Sequence, residues 1–297
     1  MSAADDEIDG SEAPLIEHLA ELRNRLIRCV VAFLVGMVIC FTVATPIFNF
    51  LTAPLCEVLG ERGQDCDLIF IKPQEGFFVA IQVSLLGGFF LAFPVIATQL
   101  WRFVAPGLYK SEQGAFLPFL IASPFMFILG ASFAFYVVTP LAYDFFLGFQ
   151  QFGQDGEAVI EQEGLSVVFQ GSAQEYLNLT IKFIVAFGVC FQLPVLLTLM
   201  GKAGLVTADG LKNVRKYAVV GILVLAALVT PPDVITQVIL FTAVFGLYEI
   251  SIHLVRRVER KREEKLRAEG LWFEEEEDAA DMAEAEADLE DAAERRE

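Results

Sequence analysis

Several uninterrupted apolar runs close to 20 residues long constrain this chain more than any other feature. A helix needs ~20 such residues to cross a ~30 Å hydrocarbon core, and soluble elements show their apolar residues at periodic intervals instead. Composition agrees: 55% of residues are apolar, Phe occurs 28 times and only 20% are charged. The 297 residues would otherwise suggest about two soluble domains. A soluble α/β enzyme, a secreted disulfide scaffold and a nucleic-acid-binding domain are poor fits. The chain reads as an all-α polytopic inner-membrane protein, with no nucleic-acid partner.

Six spans are expected, at roughly 26–46, 76–98, 115–138, 178–200, 216–231 and 234–254. The fifth is short. Only 16 residues separate Lys216 from Asp233, and two of them are Pro231 and Pro232. At ~1.5 Å per residue that helix falls short of the hydrocarbon thickness. Pro231-Pro232-Asp233 would join it to the last span as a tight hairpin. Orientation follows from Lys and Arg, which are retained on the cytoplasmic side. Arg23, Arg25 and Arg28 precede span one, Arg102 and Lys110 lie between spans two and three, and Lys202, Lys212, Arg215 and Lys216 fall between spans four and five. A basic run from Arg256 to Arg267 follows span six. The alternate loops carry only Arg62 and Lys72, and 139–177 has neither Lys nor Arg. Both termini are therefore expected inside, in a bacterial cytoplasmic membrane and among its lipids.

The net charge of −18 is concentrated at the ends. Residues 1–13 are expected to form an acidic disordered N-terminus, 14–257 the transmembrane core and 258–297 a basic-then-acidic disordered tail, because such segments bury too little apolar surface to fold. The acidic start lacks the basic n-region of a cleavable signal sequence. Cys29, Cys40 and Cys190 lie within apolar runs, as small buried hydrophobes. Cys56 and Cys66 share one polar loop. A bridge is chemically reasonable there if the loop faces an oxidising compartment, but spacing leaves a disulfide and two free thiols both open.

Catalytic, phosphate-cradling and dinucleotide motifs are absent. His18 and His253 have no Cys or carboxylate cluster at metal-ligand spacing, so neither metal nor cofactor is expected and the chain is read as non-enzymatic. Glu249 and His253, four apart, read as a helix-face pair. Lys182 reads as a snorkelling side chain. Pro94, Pro118, Pro124, Pro194, Gly87, Gly88 and Gly188 interrupt the spans, which implies packed, curved helices. No repeat relates the two halves, against an inverted-repeat transporter.

In Pro14–Arg28, Leu15, Leu19, Leu22 and Leu26 form one stripe of an amphipathic helix leading into span one. Glu21 and Arg25 on its polar side make an ordinary i,i+4 pair by default. The stretch HLAELRNRL (18–26), with WRFVAPGLYKSE (101–112) and LVTPPDVITQ (228–237), resembles the twin-arginine translocase TatC family. The similarity covers roughly residues 14–257, and 154–172 looks like an insertion in an outer loop.

The resemblance implies a receptor and core of a protein-export machine that recognises folded precursors through consecutive arginines in their signal peptides. It implies transport driven by the proton-motive force, with single-span TatA- and TatB-type partners and homo-oligomers within a TatBC-type complex. By position in the matching motifs, Glu21 and Glu112 correspond to the signal-binding carboxylates. Arg23 belongs to the same patch, Phe103 is the aromatic of the first inner loop, and Pro106, Leu108, Tyr109 and Lys110 shape that loop. Guanidinium–carboxylate bonds are the strong, charge-assisted kind, which suits such a ligand. Glu112 also fits a helix N-terminal acid after Ser111.

Gln192 stands where the family commonly has a carboxylate. It either bonds a ligand or partner, or satisfies carbonyls loosened by Pro194. Thr230 and Gln237 are placed by the resemblance in a polar cluster that docks a partner's transmembrane helix, and burial within the chain is the competing account. Asp233 is an N-cap of span six. Two rival functions are a secondary transporter of a small solute, which needs a polar midplane site, and an insertase or scaffold for membrane proteins.

Overall fold

The computed structural model describes residues 3–104, 117–148, 170–230 and 234–268, with the side chains of 3–18, 103–104, 117 and 266 left out. The described chain is mainly helical. The elements are α1 (Ala3–Thr42), α2 (Ala44–Glu61), β1 (Leu68–Ile69), α3 (Glu75–Val104), α4 (Leu117–Phe133), a π-helical turn (Ala134–Val138), α5 (Thr139–Gly148), β2 (Gly171–Ser172), α6 (Ala173–Cys190), α7 (Leu193–Lys202), α8 (Ala208–Asn213), α9 (Arg215–Val229) and α10 (Val234–Ala268).

Among the described residues, five helical stretches are long and apolar enough to cross a membrane: Leu19–Thr42, Glu75–Arg102, Pro118–Gly148, Ala173–Lys202 and Val234–Lys265. They correspond to expected spans one to four and six. A helix, α9, occupies the position of the fifth expected span, and its 15 residues rise only about 22 Å at ~1.5 Å each. The Pro231-Pro232-Asp233 turn lies outside the described residues.

Boundaries moved for identifiable reasons. Span one ends at Thr42 rather than 46, because Val43 leaves helical geometry (φ −119°, ψ 27°) and α2 starts afresh. Thr42 stops by turning its hydroxyl back onto the Ile39 carbonyl, at 2.8 Å. The helix α2 was not foreseen; it buries Leu51, Leu55, Val58 and Leu59 along one face. Span three runs on to Gly148 through the π-helical turn. Pro140 has no N–H for an α-helical bond, and the wider turn accommodates its ring. The Thr139 hydroxyl donates to the carbonyl of Ala134 at 2.9 Å.

The ends also differ from expectation. The backbone of α1 is helical from Ala3, so it takes in most of the acidic 1–13 segment. The basic stretch 258–268 is not a disordered tail but the end of α10. There Glu259 accepts the backbone N–H of Ala208 at 2.9 Å, fastening the helix to α8. Residues 269–297 lie outside the described residues.

Helix crossings set the core. At the α1–α3 crossing, a Cβ on Gly88 would sit 2.6 Å from the backbone nitrogen of Met37, and one on Gly36 3.0 Å from the Gly88 carbonyl. Between α4 and α6, a Cβ on Gly188 would lie 2.5 Å from the Phe127 ring. Small residues bring backbones together where lipid offers helices no hydrophobic drive to associate. Phe127, Phe183 and Phe187 fill the centre, fully buried, and Phe127 stacks on Phe93 at 3.9 Å between centroids.

At the end of the bundle away from Glu21, Glu75 is buried and works as a staple. Its carboxylate accepts from the Ile71 and Lys72 N–H groups (2.6 and 3.1 Å), the Ser172 hydroxyl (2.8 Å) and the Gln174 N–H (3.2 Å). That holds β1 beside β2, which pair in parallel. Arg62 reaches the Asp144 carboxylate at 2.7 Å. Cys56 and Cys66 form a disulfide, with Cα atoms 5.0 Å apart.

Gly88→Val should destabilise the chain by about 1–3 kcal/mol through overpacking at a backbone contact. Gly246→Ala, where a Cβ meets nothing within 4 Å, should be neutral or better. Thermal unfolding of both variants in detergent checks the contrast.

Candidate signal-binding site

Glu21 and Arg25 lie one turn apart on α1, at the end of the bundle where α3 finishes. The Arg25 Nε donates to Glu21 Oε1 at 3.1 Å, and its Nη2 donates to the same oxygen. The Arg25 side chain is only 16% exposed and that of Glu21 42%, so the pair is half sunk into the surface. Arg25 Nη1 also leans toward the carbonyl of Gln99 on α3, at 3.5 Å. Arg23 is exposed on another side of α1. Arg25 therefore joins the Glu21 carboxylate, through a charge-assisted contact on α1, to the end of α3.

Of the other expected inner-loop residues, Glu112, Pro106, Leu108, Tyr109 and Lys110 lie outside the described residues, as does the side chain of Phe103 in the last turn of α3. Asp233 is outside them as well.

Gln192 lies at the turn between α6 and α7, inside the stretch Ala173–Lys202 that corresponds to expected span four. The Ser123 hydroxyl donates to its Oε1 at 2.7 Å, and its Nε2 donates to the Ser123 carbonyl at 2.9 Å. This reciprocal pair ties the break to α4. Neither expected role of Gln192 mentions this partner: the amide serves a neighbouring helix, not the carbonyls freed by Pro194 in its own. Ser123 was missed, and a lone Ser inside an apolar run beside Pro124 is the signal that could have flagged it.

Thr230 is buried at the end of α9, with its hydroxyl donating to the Ala226 carbonyl at 2.8 Å. Gln237 is half-buried in the first turn of α10, between the exposed Val234 and Val238. Glu249 pairs with Arg215 at 2.8 Å, joining α9 to α10, in place of the expected helix-face pair with His253. Lys182 is exposed on α6.

Two further polar ties were not read from the sequence. Gln82 Nε2 donates to Asn178 Oδ1 at 2.9 Å between α3 and α6. The Tyr143 hydroxyl donates to the Tyr176 carbonyl at 3.0 Å. Among the described residues no group of three or more His, Cys, Asp or Glu could hold a metal ion.

Ser123→Ala and Gln192→Leu should show non-additive destabilisation, with a coupling of about 1 kcal/mol, as expected for a side-chain hydrogen bond between membrane helices. A double-mutant cycle on unfolding in detergent measures it.

Comparison with known proteins covers the same ground. Residues 17–242 match the family described as Sec-independent protein translocase protein (TatC). A protein of that name from Magnetococcus marinus is 48% identical over 258 residues, 87% of this chain and 89% of the relative. The one from Aquifex aeolicus is 41% identical over 251 residues, 84% of this chain and 98% of the relative. A crystal structure of the twin arginine translocase receptor TatC superposes with a TM-score of 0.68 at 39% identity, covering 82% of this chain and 99% of the other. With several apolar helices, a core that superposes on that receptor and a profile match over most of its length, this chain belongs to the TatC family of Sec-independent protein translocase proteins, bacterial membrane proteins of protein transport.

Proposed function

We propose that this chain is the signal-peptide receptor and core subunit of twin-arginine protein export. The observation that carries the reading is the half-buried Glu21 carboxylate, held against the Arg25 guanidinium, which itself reaches the end of α3. A carboxylate that already accepts two bonds from one arginine side chain is suited to accept them from another. Glu112, with Arg23, Phe103 and the Pro106–Lys110 loop, completes the patch by its position in the motif.

The remaining assignments follow from the charge pattern and the family. The termini lie inside, α9 is a short fifth span joined to the sixth by the Pro231-Pro232-Asp233 turn, and the membrane is the cytoplasmic one. Thr230 and Gln237, beside the exposed apolar faces of α9 and α10, receive the transmembrane helix of a TatA- or TatB-type partner. Polar groups at membrane depth are costly unless paired, so such a site is effective glue. Copies of the chain assemble with these partners, and the proton-motive force drives passage of the folded precursor. No enzymatic step is assigned to the chain.

A solute transporter would need a polar midplane site, and Gln192 supplies none while it is committed to Ser123. An insertase would act on membrane proteins, not on folded di-arginine precursors.

Glu21→Gln and Glu112→Gln together should abolish export of a di-arginine reporter in a strain lacking the native chain, and should cut crosslinking of its signal peptide at least tenfold, as expected for removing charge-assisted contacts. Unchanged crosslinking in a double variant present at normal level in the membrane would refute the assignment.

A further inference from the structure

The connection from α2 to α3 carries an exposed apolar patch at the end of the bundle away from Glu21. Ile69, Phe70 and Ile71 are 36%, 55% and 66% exposed, and Phe77 and Phe78 in the first turn of α3 are 60% and 47% exposed. The Phe70 ring lies over Gly76, where a Cβ would sit 3.7 Å from it. Loop and helix start therefore share one surface.

We propose that Phe70 and Ile71 form an interfacial anchor that enters the boundary between phospholipid headgroups and acyl chains, and that the Glu75 staple is what allows this loop to lie there. Three observations select phospholipid as the occupant. The first is depth. The 30 residues of α3 rise about 45 Å at ~1.5 Å each, the thickness of a bilayer with both headgroup layers. Arg102 marks one layer, so the first turn of α3 lies in the other. A loop fastened to that turn is held at the same depth, within reach of the acyl chains.

The second is the backbone. Irregular chain cannot face hydrocarbon while its polar groups are open. Leu68 and Ile69 are paired with Gly171 and Ser172. The Ile71 and Lys72 N–H groups donate to the Glu75 carboxylate, and the Lys72 carbonyl accepts from the Glu75 N–H at 3.0 Å. What Ile71 turns outward is its side chain. The same bonds leave neither Ile71 nor Lys72 an N–H for an added strand, which argues against a partner docking by strand addition.

The third is charge. Lys72 is exposed beside the patch, and a long cationic side chain at that depth reaches lipid phosphates while its stem stays among apolar groups. A second copy meeting the same patch about a two-fold axis would bring Lys72 toward its own equivalent, a like-charge contact. The consequence is that α3 is fixed at both interfaces, by Arg102 at one end and by this loop at the other.

The test uses the full chain in phosphatidylcholine nanodiscs containing a phospholipid with a diazirine in the upper part of one acyl chain. Photolysis and mass spectrometry of the unsubstituted protein should find label on residues 68–72 as heavy as that on Phe77 and Phe78. Label on α3 with none on 68–72 would overturn the anchor.

A nitroxide reads the depth directly. Ile71→Cys or Gln64→Cys is labelled in a chain carrying Cys29→Ala, Cys40→Ala and Cys190→Ala, since the Cys56–Cys66 bridge does not react. Oxygen concentrates among acyl chains and a nickel chelate stays in water. The ratio of oxygen to nickel collisions should be several-fold higher at position 71 than at position 64, which is exposed in the same connection. Equal ratios would overturn the proposal. Adding Glu75→Gln, which replaces one accepting oxygen by a donor, should bring the ratio at 71 down toward that at 64. An unchanged ratio would overturn the part given to Glu75. Disulfide-linked dimers of unlabelled Ile71→Cys that persist on dilution into excess lipid would overturn phospholipid in favour of a second copy.

Discussion

Backbone-to-backbone contact at glycine is the constraint on which the rest of this structure depends. Lipid tails are as apolar as leucine, so burial alone does not press membrane helices together. Close approach and dispersion must do it. Gly36 and Gly88 let α1 meet α3, and Gly188 admits the Phe127 ring between α4 and α6. The α1–α3 contact also sets the geometry of the proposed receptor site. Helices held this close at one point leave room for larger side chains further along, and an apolar groove beside Glu21, lined by Leu22 and Leu26 of α1 and Phe89 and Leu100 of α3, is that room.

Polar side chains supply the second level of organisation, and they gather where helices break or begin. Gln192 sits at the α6–α7 break and bonds Ser123 on α4. Glu75 begins α3 and collects donors from two separate connections. Arg215 and Glu249 close the gap between α9 and α10. At such points backbone groups lose their helical partners, and in an apolar surrounding each lost bond is expensive. A side chain that restores bonds to a neighbouring element therefore stabilises the break and fixes the position of that element together.

The position of the long helices was legible because hydropathy is a local property. Five of the six expected spans recur as long apolar helices, and α9 occupies the fifth position. Their ends were less legible. Val43 stops α1 before the apolar run has ended, and the π-helical turn carries span three ten residues beyond the expected end at 138. The helix α2 escaped notice because its apolar residues alternate with polar ones over a stretch that contains Pro46 and Pro54. Of the site, the Glu21–Arg25 pair was legible as an i,i+4 contact. Its half-burial against the end of α3 was not, because Gln99 is 74 residues away.

What the sequence determined by itself is the class of molecule, the order of its apolar spans, the uneven placement of Lys and Arg among its loops and the family motifs, all of them properties of short stretches read one at a time. Only the tertiary structure decided that Gln192 faces Ser123, that Glu249 chooses Arg215 over His253, that Cys56 and Cys66 are bridged, and that an apolar groove opens beside Glu21. The physical reason is that a polar side chain in a membrane helix bonds whichever donor or acceptor packing brings within about 3 Å. That choice depends on how distant helices cross, and no local window contains it.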